Sequence, residues 1–236
     1  MGRVQNPKKG AIDANRSKIF MKISKEIYVA AKNGGTDPAG NTGLRLAIEK
    51  AKAAHTPKDT IDRAIKKAAG AGSGENYEEI MYEGYGPGGI AVLVQCMTDN
   101  RNRTATNVRT AFGKNGGNLG ESGSVAYMFN RKGYLAISRE DLETDEDEMM
   151  MIALDAGAED MRTTEYAFEI FTDTNEFLTV KENIEKEGHT FVSAEISMIP
   201  TLYNALPAGN IAQMEKLLSV LEDDDDVQNF WHNWEE

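Results

Sequence analysis

The order of hydrophobic periodicities over residues 134–199 constrains this chain more than any other feature of it. Tyr134 to Ile137 predicts a strand, and Met150, Ala153 and Leu154 mark a helix within Asp145 to Ala156. Tyr166, Phe168 and Ile170 alternate as on a strand, with a shorter strand just before it near Glu159 to Arg162. Phe177, Val180 and Ile184 mark a second helix, and Val192, Ala194, Ile196 and Met198 alternate with Ser193, Glu195 and Ser197 on a last strand. The order βαββαβ is that of a ferredoxin-like split unit, complete in itself.

The flanks are not complete. Before the unit, Ile80 to Tyr85 and Ile90 to Met97 read as strands joined by Gly86-Pro87-Gly88-Gly89, and the near-continuous Ile90-Ala91-Val92-Leu93-Val94 implies burial on both faces. A helix follows at about Thr104 to Lys114, stopped by Asn115-Gly116-Gly117, and Ser124 to Phe129 reads as a third strand. After Pro200, Ile211, Met214, Leu218 and Leu221 mark a helix that leads through Glu222 to Asp226 into a strand over Val227 to Trp234. The first flank supplies ββαβ and the second the missing αβ. Residues 75–133 and 200–236 are therefore expected to form one discontinuous domain, interrupted by the 134–199 unit.

The first 74 residues read as helices. Ile12, Ile19, Ile23, Ile27 and Ala30 recur at helical spacing up to a stop at Asn33-Gly34-Gly35, with Lys18, Lys22, Lys25 and Lys32 on the opposite face. A second helix near Asn41 to Ala54 carries Leu44, Ala47, Ile48 and Ala51. A third begins at Thr56-Pro57-Lys58-Asp59, with Thr56 as the expected cap, and buries Ile61, Ala64, Ile65 and Ala68. Gly70 to Gly74 reads as a hinge.

Charge follows this division. The 236 residues carry 26 Lys/Arg against 38 Asp/Glu, a net charge of −12, yet residues 1–70 hold 15 cationic side chains against 6 acidic ones. A basic block on an acidic body is either a module that faces a polyanion or a set of solvated helix faces. Its cationic candidates are Lys8, Lys9, Arg16, Lys18, Lys22, Lys25, Lys32, Arg45, Lys58, Arg63, Lys66 and Lys67. The absence of an apolar run of about 18 residues, and a polar N-terminus, argue against a membrane span or secretory signal. The single cysteine, Cys96, argues against zinc fingers and disulfide scaffolds and for a reducing, cytoplasmic setting.

Most chemical motifs fail. Gly84 to Gly89 runs into a strand, where a dinucleotide loop needs a helix, so a hairpin turn is expected. Gly120-Glu121-Ser122-Gly123-Ser124 lacks the second glycine of a nucleophile elbow, which leaves a hydrolase at Ser122 a weak rival. His55, His189 and His232 lie in different segments, and the acidic runs 145–148 and 222–226 lack calcium-loop spacing and read as solvated helix ends. No catalytic, metal or cofactor site is expected. Thr98 to Thr104 is different, since it joins a buried strand to a helix N-terminus and adds Arg101, Arg103 and, a turn later, Arg109. It reads as a phosphate contact, or else Asp99 or Asn102 caps the helix while the arginines pair with local carboxylates.

Tyr82 to Gly89, Thr98 to Thr104, Gly116 to Gly120 with Gly123 to Tyr127, and Asp226 to Asn229 resemble the YebC/PmpR family, which includes the mitochondrial translational activator of cytochrome c oxidase. Leu44 to Ile48 and Ile61 to Lys67 match as well, so the resemblance spans nearly the whole chain. It implies an α+β protein: an N-terminal helical domain followed by two α/β ferredoxin-like domains, the third inserted into the second. It also implies a non-enzymatic regulator of gene expression, either a translation factor that relieves stalling at the ribosome or a DNA-binding transcriptional regulator. The implied partners are the ribosome, through rRNA and tRNA, or DNA; the sequence leaves the oligomeric state open, with a monomer favoured. The family usually opens with His-Ser-Lys-Trp or Arg-Lys-Trp, whereas this chain reads Met1-Gly2-Arg3-Val4-Gln5-Asn6-Pro7 and has no tryptophan there to stack on a base. A small-molecule sensor is the remaining alternative, because ferredoxin-like units can bind metabolites. Neither a helix-turn-helix signature nor an aromatic RNP motif separates RNA from DNA.

Overall fold

A computed structural model describes residues 12–70, 76–140 and 143–235, with side chains from Ser17 onward in the first helix. In chain order the elements are α1 (Ile12–Gly34), α2 (Thr42–Ala53), α3 (Lys58–Ala69), β1 (Glu78–Tyr85), β2 (Ala91–Thr98), α4 (Arg101–Lys114), β3 (Asn118–Leu119), β4 (Phe129–Ser138) and α5 (Glu146–Asp155). They continue with β5 (Asp160–Thr163), β6 (Ala167–Thr172), α6 (Phe177–Lys186), β7 (Ser193–Pro200), β8 (Asn204–Ala205), α7 (Ala208–Asp223), β9 (Val227–His232) and β10 (Trp234–Glu235). One compact unit runs through Phe129 and resumes at Pro200; the other is Asn130–Ile199. The expected hinge falls largely on residues outside the described set.

In the first unit, α1, α2 and α3 bury Ile23, Ile27, Ala31, Leu44, Ala47, Ala51, Ile61 and Ala64 against one another. Asn41 organises the first corner: its Oδ1 accepts from Leu44 N at 3.0 Å and caps α2, while its Nδ2 donates to the carbonyls of Ala30 and Gly35 at 2.8 Å each. The second corner departs from expectation. Pro57 occupies the N-cap of α3 with no side-chain bond, and the Thr56 hydroxyl is buried without a partner.

The unit's sheet has the order β3-β1-β2-β9, with the antiparallel β1–β2 hairpin at its centre. Ile90 through Val94 are all 0% exposed, as an apolar run with no polar alternation requires. Ile90 and one face of β2 (Val92, Val94, Cys96) pack on Val108 and Phe112 of α4 and on Met214, Leu217 and Leu221 of α7. At the hairpin, Gly88 and Gly89 take φ of 68° and 80°, which favours glycine. Gly84 is needed for space: a Cβ there would lie 2.7 Å from both the Asn118 carbonyl and a Phe112 ring carbon.

Ser124 to Phe129 is not a strand. Gly120 to Met128 is a turn ending in a 3-10 segment, and β4 starts only at Phe129. The cause is the buried carboxylate of Glu83, which accepts from the backbone N–H groups of Gly123, Val125 and Ala126 at 2.7, 2.8 and 2.7 Å and so withdraws them from any ladder. Burial pushes this carboxyl up, but the three N–H donors outweigh it and hold it below the usual glutamate value. The chain leaves and re-enters this unit side by side, with Thr201 N donating to Met128 O at 2.9 Å.

The inserted unit has the sheet order β5-β6-β4-β7, the ferredoxin-like arrangement, with β6 antiparallel to both neighbours. Three details differ from the sequence pattern, the first being that on β7 Ser197 is the buried residue while Val192, just before the strand, is 51% exposed. Strand β6 is buried at every position rather than alternately, and its Glu169 is satisfied by the Tyr134 hydroxyl at 2.9 Å. On α5 the buried residues are Met149 and Ala153, while Leu154 is 50% exposed.

Removing the Glu83 carboxylate takes the acceptor from three N–H groups, that of Val125 buried and those of Gly123 and Ala126 half-buried. Glu83→Ala is expected to lower the unfolding free energy by about 3 kcal/mol, with Glu83→Gln losing less because its carbonyl still accepts. Urea unfolding checks this, and a loss below about 1 kcal/mol contradicts the clamp.

Candidate nucleic-acid interface

The α1 lysines do not form the solvent-facing stripe that their spacing suggests. Lys18 Nζ donates to the Asp223 carbonyl at 2.7 Å and to its Oδ1 at 3.2 Å, and Lys22 Nζ donates to the Glu222 carbonyl at 3.0 Å. Lys25 Nζ bonds the carbonyls of Asp225 and Met97 at 2.9 and 3.1 Å and lies 3.7 Å from Asp226 Oδ1, with its side chain only 9% exposed. Lys32 donates to Asn76 Oδ1 at 3.0 Å and to the Tyr28 hydroxyl at 3.3 Å. The turn 222–226 offers the C-terminal carbonyls of α7 and its own carboxylates, a natural seat for ammonium groups. Ile19, expected to face inward, is 45% exposed. Burial and the nearby Lys18 charge push the Lys22 ammonium below its ordinary value.

Asp226 is the centre of this contact and is not a solvated helix end. Its side chain is 7% exposed, and its Oδ2 accepts from Arg103 Nη2 at 2.8 Å, Arg103 Nε at 3.2 Å, Thr104 Oγ1 at 2.9 Å and Thr98 Oγ1 at 3.3 Å. Its carbonyl accepts from Met97 N at 2.8 Å. Burial pushes its carboxyl up, but the hydrogen bonds from Arg103 and Thr104, with the charges of Arg103 and Lys25, outweigh this and hold it below the ordinary value of 3.8. Arg103 also bonds Asp99 Oδ1 at 2.9 Å, so this arginine pairs with local carboxylates. Helix α4 is capped by Asn100, whose Oδ1 accepts from Arg103 N at 3.0 Å, rather than by Asp99 or Asn102. Arg101 and Arg109 are exposed on the same helix.

Beside this joint, within the first unit, lies a cleft of about 470 Å³ bounded by α1, α3 and the Asp99–Arg103 turn. Its cations are Lys25, Arg63, Lys67 and Arg103, against the carboxylates of Asp99 and Asp226. Tyr28 and Tyr77 meet edge to face on its wall, with centroids 5.9 Å apart, and Lys67 Nζ lies 5.6 Å from the Tyr28 centroid. Arg63 is anchored by its Nε to the Asp59 carbonyl at 3.0 Å. Arg45, Lys58, Arg63, Lys66 and Lys67 are all exposed on α2 and α3. Lys8 and Lys9, and the Arg16 side chain, lie outside the described residues.

Spacing along the chain singled out neither Tyr28, Tyr77 nor Asp226 as site residues. For Asp226 a signal existed: it ends an acidic run immediately before the strand β9, whose first residue, Val227, is buried. Cys96 is buried in the sheet core, and burial first, then Asp224 and Asp226, pushes its thiol up to about 12. Among the described residues no cluster of His, Cys, Asp or Glu could hold a metal ion, and no helix is long and apolar enough to cross a membrane.

Residues 5–71 match the TACO1/YebC N-terminal domain, and residues 77–234 match the TACO1/YebC second and third domain. The chain belongs to the TACO1/YebC family. It is 61% identical over 229 residues to a probable transcriptional regulatory protein of Geobacillus sp. strain WCH70, covering 97% of this chain and 93% of that relative. Over 228 residues it is 58% identical to a protein of the same description from Listeria monocytogenes serotype 4b, covering 97% and 94%. The crystal structure of a conserved hypothetical protein from Aquifex aeolicus superimposes with a TM-score of 0.88 at 44% identity, covering 100% of this chain and 96% of that one.

For this family member the joint at Asp226 has a pH signature. Its carboxyl is depressed in the folded state, so the stability it contributes is complete above the unfolded value and is lost as pH falls through the folded one. Asp226→Ala should cost about 3 kcal/mol at neutral pH and flatten the decline in melting temperature below about pH 4. An unchanged acid limb would contradict the joint.

Proposed function

We propose that the protein is a nucleic-acid-binding regulator of gene expression, that its contact face is the exposed basic side of α2 and α3, and that it acts in the cytoplasm at the ribosome through rRNA. The observation that supports this is the placement of Arg45, Lys58, Arg63, Lys66 and Lys67, cations left facing solvent on a chain whose net charge is −12. Helix α3 owes this to its period: Ile61 and Ala64 are buried, so Lys58, Arg63, Lys66 and Lys67, which fall on other faces, are turned outward. The acidic remainder repels a polyanion, so the contact is one-sided, which suits docking on a structured RNA surface better than wrapping a duplex.

The relatives described as probable transcriptional regulatory proteins favour a second reading, DNA as the target. One pair of substitutions tests both. Lys58→Glu with Lys66→Glu touches no core contact and should cost within about 0.5 kcal/mol of stability per site. Binding should weaken and its log-log salt slope fall by about 0.7 per lost contact on single strands, or about 0.9 on duplex DNA. Co-sedimentation with ribosomes, set beside binding to duplex DNA of mixed sequence, decides the target. Wild-type binding to the duplex but not to ribosomes would overturn the ribosome reading, and an unchanged double variant would overturn the assigned face.

A further inference from the structure

The cleft beside the Asp226 joint differs from the rest of the basic face in having walls that are both cationic and aromatic. Its volume of about 470 Å³ lies within the range of small-molecule sites. That is room enough for one unstacked nucleotide. Two of its cations, Lys25 and Arg103, are committed to Asp226, and Arg103 also to Asp99, so the carboxylates on that wall are neutralised from within. Arg63 and Lys67 stand on the opposite wall, exposed, on consecutive turns of α3. Tyr77 is half-buried and fixed edge to face against Tyr28, and Met21, 40% exposed, lies on the same cleft. Neutralised carboxylates, rim cations and a rigid aromatic wall beside planar guanidinium groups together form the environment that single-strand binders offer to a splayed base and its phosphate.

We propose that this cleft holds one unstacked nucleotide of a single strand, its base against Tyr77 and Met21 and its phosphate at Arg63 and Lys67. The inference rests on the nucleic-acid reading above but goes beyond it, because a basic face alone binds phosphates without regard to bases.

The test uses the full chain and fluorescence anisotropy with labelled uridine strands of about ten nucleotides, each compared with an abasic strand carrying the same phosphates. Wild type should bind the base-bearing strand about tenfold more tightly. Tyr77→Ala should bring that ratio close to one while leaving affinity for the abasic strand intact. Arg63→Ala, at an exposed site outside the core, should weaken binding to both strands and guards against a Tyr77 variant that fails to fold. Deoxyuridine strands distinguish the source of the nucleotide, since a preference for the ribose or the deoxyribose strand names RNA or DNA and supports the cleft in either case. Equal wild-type affinity for base-bearing and abasic strands overturns the cleft and leaves the basic face standing. A ratio unmoved by Tyr77→Ala in a protein that melts as wild type also overturns it. Full displacement of the strand by an equal concentration of uridine monophosphate assigns the cleft to a free nucleotide and overturns the strand. Binding to neither strand nor to ribosomes or duplex overturns both readings.

Discussion

A single buried carboxylate, Asp226, joins parts of the first unit that the chain holds far apart. It receives the guanidinium and hydroxyl groups of Arg103 and Thr104 at the start of α4, the Thr98 hydroxyl at the end of β2, and the ammonium of Lys25 from α1. A charge this deeply placed is tolerable only because two cations and two hydroxyls surround it, and removing any one partner leaves the others buried with less compensation. The apolar contact of Tyr28 and Val29 with Met97 lies beside it, so an ionic and a hydrophobic patch adjoin where the helical block meets the sheet. Lys18 and Lys22 extend the ionic patch along the acidic turn.

This joint decides where the protein's positive charge is available. Lysines engaged with Glu222 to Asp226 are neutralised inside the unit. Arg45, Lys58, Arg63, Lys66 and Lys67 stay exposed on α2 and α3 and keep a basic face on an acidic chain. The same joint holds Lys25 and Arg103 in place on one wall of a cleft whose other wall, on α3, carries Arg63 and Lys67. Stability and the proposed contact surface thus share residues, and a change at Asp226 reaches both.

The elements were legible in the sequence because their periods are strong: isoleucines at helical spacing in α1, an unbroken apolar run in β2, and βαββαβ over residues 134–199. The orientation of α1 was not. A stripe of lysines opposite a stripe of isoleucines reads as solvent-facing when only its own helix is considered, yet the partners of Lys18, Lys22 and Lys25 lie about two hundred residues away. Val125 and Ala126 look like strand residues for a similar reason: their N–H groups go to the Glu83 side chain, forty-odd positions earlier, and not to a neighbouring strand. The exposed cations of α3 were recognisable from composition and spacing. The cleft was not, because Tyr28, Tyr77, Arg63 and Arg103 come together only when the helices dock on the sheet.

The α1 lysines thus belong to the internal joint, and the α3 lysines to the proposed contact face. Acetylation rates of individual lysines, read by mass spectrometry on the free protein and on its complex with ribosomes or a single strand, test this directly. Lys22 and Lys25 should react slowly in both states, while Lys58, Lys66 and Lys67 react quickly when free and become protected in the complex. Fast reaction of Lys22 and Lys25 in the free protein, with protection on binding and no protection of the α3 lysines, would contradict the account.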